Sequence, residues 1–202
     1  MFYATDTNDH GMQHDPFKAI VAPRPIGWIG TRGKDGSINL SPYSFFNIVS
    51  DTPKIVMFSS SGRKDSLRNA EETGVFTASL ASRHLAEAVN ASSVTVPYGT
   101  DEFAIAGVTP GQGVLVDAPF VAEAYTALEC RVTEIIQPRT LDGDKADSHM
   151  VFGEVVGIHI KEEVIRGGRI DMSVLQPIAR MGYRDYSDGG ADVFELTRPA
   201  AP

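Results

Sequence analysis

Lys54-Ile55-Val56-Met57-Phe58-Ser59, followed by Ser60-Ser61-Gly62-Arg63-Lys64-Asp65-Ser66, is the stretch on which the reading turns. Its first half is apolar and partly β-branched, which predicts a strand over Lys54–Ser59. Its second half predicts a polar loop leading into a helix over Lys64–Thr73. Gly74 follows as a natural C-cap. Hydroxyls and free backbone N–H groups in such a strand-to-helix loop can converge on one phosphate, and the helix start adds partial positive charge. Arg63 can grip two phosphate oxygens, and Lys64 adds a mobile charge. An ordinary polar loop that caps the helix through Ser61 or Asp65 explains the same residues, and the chemistry alone does not choose. The spacing G-x-x-x-x-G-K-[ST] of a Walker loop is absent.

Working outward, strand-like runs dominate. They are Gly27–Gly30, Ile38–Leu40, Val75–Leu80, Phe120–Thr133 and Met150–Ile160. Lys34-Asp35-Gly36 marks Thr31–Ser37 as a hairpin loop. Helices are fewer and short: Arg83–Asn90 behind Ser82, and Asp101–Ala106 ending at Gly107. Ser173–Arg180 is ambiguous because Pro177 interrupts it. Many short strands with few helices predict a mainly β closed barrel with helical decorations, and argue against a doubly wound parallel sheet. No linker or repeat divides residues 1–202, which reads as one domain. Its barrel core is expected at about 18–184, with peripheral tails at 1–17 and 187–202.

Composition sets the outer limits. Hydrophobic residues are 42%, enough for a core, which excludes wholesale disorder. The net charge of −8 opposes non-specific nucleic-acid binding, so any anion site must be made locally. A single cysteine, Cys130, excludes an intrachain disulfide and reads as a small buried hydrophobe. Residues 1–17 lack a signal-peptide pattern, and no apolar run reaches the roughly 20 residues that span a bilayer. A cytoplasmic protein with no membrane partner is expected.

Three more segments carry candidate chemistry. Arg24 stands between Pro23 and Pro25, on stiff extended backbone that presents it in a fixed direction. Trp28, nearby, reads as core. Asn39–Asn47 brings hydroxyls, two amides and three aromatics into one loop, able to run along a flat heteroaromatic ring. Phe45 and Phe46, taken singly, read equally as core fillers. His149 follows a polar loop and opens a strand, where it can face a ligand. His159 shares its face if no bulge intervenes, and reads as a satisfied wall histidine. No metal-ligand spacing and no G-x-S-x-G elbow is present.

The series PRPIGWIGT, NLSPYSFFN, PKIVMFSSSGRKDS, DEFAIAGV and HMVFGEVVGIHI, in order from about Ile20 to Arg184, resembles the flavin reductase-like family with the FMN-binding split-barrel fold. The resemblance implies a mainly β, six-stranded, antiparallel, Greek-key-like split barrel with a few short helices, a homodimer, and FMN near the dimer interface. It places the isoalloxazine on Ser41–Asn47, with Ser44, Phe45, Phe46 and Asn47 as contacts. The phosphate falls to Ser59, Ser60, Ser61, Arg63, Lys64, Asp65 and Ser66. Arg24 is implied near the flavin, His149 near the flavin or nicotinamide, and Arg180–Tyr183 against cofactor or partner. Some members reduce free flavin with NADH or NADPH and supply it to a monooxygenase; others hold FMN tightly. The expected activity is hydride transfer from NAD(P)H to flavin. The alternatives are a non-catalytic FMN carrier or sensor, and a plain β-barrel interaction module.

Overall fold

The computed structural model describes residues 1–199. Its main sheet has seven antiparallel strands: β1 (Gly27–Arg32), β2 (Ile38–Tyr43), β3 (Phe46–Ser50), β4 (Ile55–Ser61), β5 (Val75–Leu80), β6 (Thr126–Ile136) and β7 (Ser148–Ile160). They lie in the order β2-β1-β5-β6-β7-β4-β3. The two edges, β2 and β3, are consecutive in the chain and joined only by Ser44 and Phe45. Laid flat, six inter-strand gaps would separate them by roughly 29 Å. Three Cα steps span at most about 11 Å. The sheet must therefore curl until its edges meet, and the opening of this split barrel lies at Ser44–Phe45. The sheet has seven strands, one more than the resemblance implies.

Gly27 shows how tightly the seam is packed. A Cβ built there would lie 2.4 Å from the Phe46 ring. Gly27→Val is expected to destabilise the fold by about 2 kcal/mol, read as a lower melting temperature. An unchanged melting temperature would contradict this packing.

β1 is buried on both faces, so it reads as an unbroken apolar run rather than an alternating one. Ile29 joins the inner cluster with Tyr43, Phe58, Phe76, Cys130 and Val151. Trp28 joins the outer cluster with Leu40, Phe103, Val121 and Ile178, and its Nε1 donates to Ser92 Oγ at 2.9 Å. Leu67 and Ala70 of helix α1 (Asp65–Thr73) pack into the inner cluster. Both α1 and the helix Glu102–Ala106 end on left-handed glycines, Gly74 and Gly107, as their sequences predict. Burial pushes the Cys130 thiol far up, in keeping with a packing role.

Some local expectations need correction. The run Phe120–Thr133 is two strands, Pro119–Val121 and β6, because Ala124 N–H turns back to Val121 O and Ala122 N–H to Thr109 O. The ambiguous Ser173–Arg180 resolves into a helix at Met172–Leu175 and a strand at Ile178–Arg180. That strand pairs with Arg24–Pro25 on one side and Tyr186–Asp188 on the other, so Ser187 and Asp188 are part of a small sheet. Ser82 sits at the start of the 3₁₀ turn Arg83–Leu85 but makes no capping bond; its Oγ is buried and unpartnered. Among the described residues no helix is long and apolar enough to cross a membrane.

Candidate functional site

Ser60 and Ser61 are strand, not loop, and extend the strand predicted to end at Ser59. β4 continues to Ser61 because β7 opposes it residue by residue: Ser61 with Ser148, Ser60 with His149, Ser59 with Met150. Strand pairing here overrides the turn preference of serine. Alternation then separates the hydroxyls. Ser60 is fully buried and donates to Gly62 O at 3.0 Å; Ser61 is exposed. The loop itself is only Gly62–Lys64. Gly62 takes φ +72°, a conformation that favours glycine, and its N–H donates to Asp147 O at 2.7 Å.

Lys64 is the N-cap of α1 in extended conformation, and no side chain caps the helix. Neither Ser61 nor Asp65 plays the capping role that the sequence left open. The first-turn N–H groups from Asp65 onward therefore lack intrahelical acceptors. This nine-residue helix presents its positive end beside an exposed lysine. Lys64 has no ion-pair partner among the described residues. Arg63 instead turns along the helix, its Nε and Nη2 donating to Glu71 Oε2 at 3.0 and 2.7 Å.

Ser66 is buried and accepts from Asn39 Nδ2 at 2.9 Å. Asn39 also reaches Thr31, which accepts from Asn69; Tyr98 donates to Asn69. This network ties α1 to β1 and β2 from behind. Nearby, the Tyr43 hydroxyl is buried with no hydrogen-bond partner. Burial pushes this phenol up, and the neighbouring hydroxyls of Ser66, Ser60 and Ser41 only partly offset it.

The other predicted residues gather at the same end. Phe45 O accepts from Ser59 N–H at 2.8 Å, so the seam lies against β4. Phe45 is 39% exposed, whereas Phe46 packs with the inner cluster. Asn47 is exposed and its Oδ1 accepts from Ile48 N–H. The Arg24 guanidinium lies 6.0 Å from the Phe45 ring centre. Its Nη atoms donate to the carbonyls of Lys18, Val21 and Met181, while Nε is buried and unpartnered. Burial, then the charge of Arg180, lowers its pKa from the usual arginine value. Arg24 thus clamps the N-terminal segment to the segment after β7. His149, opposite Ser60, keeps a buried Nδ1 with no partner.

His159 does not share a face with His149. The register slips between Val155 and Gly157, and a bulge there breaks the alternation. His159 is a satisfied wall residue: its Nε2 lies 2.5 Å from Glu129 Oε1, and its ring stacks on Phe120 at 4.4 Å. Sequence reasoning missed Asp147, Asn69, Tyr98 and Glu129. Nothing local distinguishes them, although Asn39 stood inside a segment already singled out.

A curled antiparallel sheet with an uncapped, lysine-flanked helix start at its seam defines a split-barrel protein with an anion-ready end. The comparisons place it more closely. The Flavin reductase like domain family matches residues 21–173, and the chain belongs to that family. An uncharacterized protein of Deinococcus radiodurans is 35% identical over 192 residues, covering 89% of this chain and 82% of its own. The crystal structure of nitrilotriacetate monooxygenase component B from Bacillus cereus is similar with a TM-score of 0.86 and 29% identity, covering 97% of this chain and 98% of its own. A proposed flavin reductase with a split barrel domain from Shewanella frigidimarina shares the fold, with a TM-score of 0.82 and 20% identity over 99% of this chain and 100% of its own.

Proposed function

We propose that the chain binds FMN and passes hydride to it from NADH or NADPH, as a flavin reductase-type oxidoreductase. The observation that carries this reading is the uncapped start of α1 at the barrel seam, with Lys64 unpaired beside it. Free N–H donors, a mobile cation and a positive-φ glycine suit a phosphate monoester. The orphaned Nδ1 of His149 across the strand suits a polar edge of the same ligand.

When bound, the flavin supplies a ring that accepts hydride from nicotinamide. The chain's own residues bind and orient. Lys64, with the N–H groups of Asp65 and Ser66, holds the phosphate, and Ser59 and Ser61 offer hydroxyls from the strand end. Arg63 joins when it leaves Glu71. Ser60 and Ser66 act from behind, through Gly62 and Asn39. Ser44, Phe45 and Asn47 line the ring; Phe46 holds the seam shut and Arg24 fixes its flank. His149, with its buried Nδ1 free of partners among the described residues, would position the nicotinamide or relay a proton. A second copy of the chain covers the outer side of the seam in a homodimer. The likeness to a monooxygenase component supports an oxygenase as the consumer of reduced flavin, in the cytoplasm.

Anaerobic mixing of protein, FMN and NADH or NADPH tests the reading. Loss of flavin absorbance faster than in the protein-free mixture is expected. Flavin that binds but is not reduced by either nicotinamide would make the protein a carrier or sensor. His149→Ala is expected to slow reduction by about 100-fold while FMN affinity holds within about twofold. An unchanged rate would remove His149 from the chemistry.

A further inference from the structure

The segment Ile165-Arg166-Gly167-Gly168-Arg169-Ile170 forms a two-stranded hairpin after β7. Gly167 and Gly168 both take positive φ, 57° and 76°, as a two-residue hairpin turn requires. Arg166 pairs directly with Arg169. Opposed residues leave the same face of a hairpin with Cβ atoms about 5 Å apart. Two permanently charged side chains therefore leave the hairpin from neighbouring positions on one face, an arrangement that destabilises a hairpin unless something answers it.

The chain has carboxylates to spare, with 26 acidic against 18 basic residues. Among the described residues only Asp171 forms an ion pair with this arginine pair. Its Oδ2 is 3.5 Å from Arg166 Nε, and its Oδ1 is taken by the N–H and hydroxyl of Ser173 at 2.9 and 2.6 Å. Among the described residues Arg169 has no ion-pair partner. Both arginines line an open cavity of about 530 Å³ whose apolar wall includes Ile170, Met172 and Val193. The C-terminal segment closes one side. It runs so near that a Cβ on Gly190 would meet Met172 O at 2.5 Å. The depression is open to solvent, with room for a phosphate-bearing group against the two arginines.

None of the residues that line the cavity is among those placed at the seam: the hairpin follows the far end of β7 from His149. We propose that this cavity is a second anion site, binding a phosphate-bearing small molecule between the Arg166 and Arg169 guanidiniums. The proposal does not rest on the flavin reading.

Calorimetric titration of the full-length protein, with excess FMN present to fill any site at the seam, tests it. Inorganic pyrophosphate and ADP are the two probes. Saturable binding of at least one is expected. Arg166→Gln with Arg169→Gln should weaken it by about tenfold or more, with FMN affinity and melting temperature unchanged. Tighter binding of ADP assigns the apolar wall to an organic body; equal binding assigns the site to the free anion. No saturable binding of either probe, or equal binding by the double variant, would overturn the proposal without touching the flavin site.

Discussion

Replacing Arg63 and Lys64 together with alanine is expected to weaken FMN binding by about 100-fold, and riboflavin binding by no more than about twofold. The two ligands differ only in the phosphate, so the ratio isolates that group. The site offers three kinds of donor: first-turn N–H groups of α1, the free Lys64 ammonium, and a guanidinium held by Glu71. The backbone donors survive the double substitution, and residual affinity reflects them. The Glu71 contact yields a second, opposite expectation. Glu71→Gln loosens the hold on Arg63 and should tighten FMN. Equal losses for FMN and riboflavin in the double variant would show that the phosphate lies elsewhere.

Glu129→Ala should destabilise the fold by about 3–5 kcal/mol, measured by urea unfolding. Glu129 is 1% exposed, yet it accepts from the N–H groups of Val114, Leu115 and Val116 at 2.6–2.9 Å, and from His159. Removing it leaves three N–H groups and an imidazole without their acceptor. Burial alone pushes its carboxyl up; the hydrogen bonds from Val114, His159, Leu115 and Val116 outweigh that and hold it below the usual range. A carboxyl depressed by folding adds stability that is complete at neutral pH and is lost as pH falls through its folded-state value. The native protein should therefore lose stability in acid more steeply than Glu129→Gln. A loss below about 1 kcal/mol in the alanine variant would mean that solvent replaces these bonds freely.

The class of fold was legible because its signals are local. Lys34-Asp35-Gly36 makes a turn wherever it occurs, and Gly74 and Gly107 stop helices by backbone conformation alone. The seam was legible only as a segment. Ser44–Asn47 carried no sign that it joins the two edges of one sheet, since that depends on strand order. Ser60 and Ser61 were misplaced for the same reason: nothing in two serines says that β7 pairs with them. The bulge beside Val156 is likewise set by its partner strand, and it moved His159 off the face of His149. Arg24 was rightly seen as fixed in direction, but the carbonyls it holds belong to segments as distant as Met181. The uncapped helix start could not be read at all, because an N-cap bond is a matter of geometry rather than composition.

The most direct measurement is a pair of calorimetric titrations of the native protein with FMN and riboflavin. The account predicts one FMN per chain, bound about 100-fold or more tightly than riboflavin. Equal affinity for the two, or no binding of FMN, would contradict the claim that the start of α1 at the barrel seam is a flavin phosphate anchor.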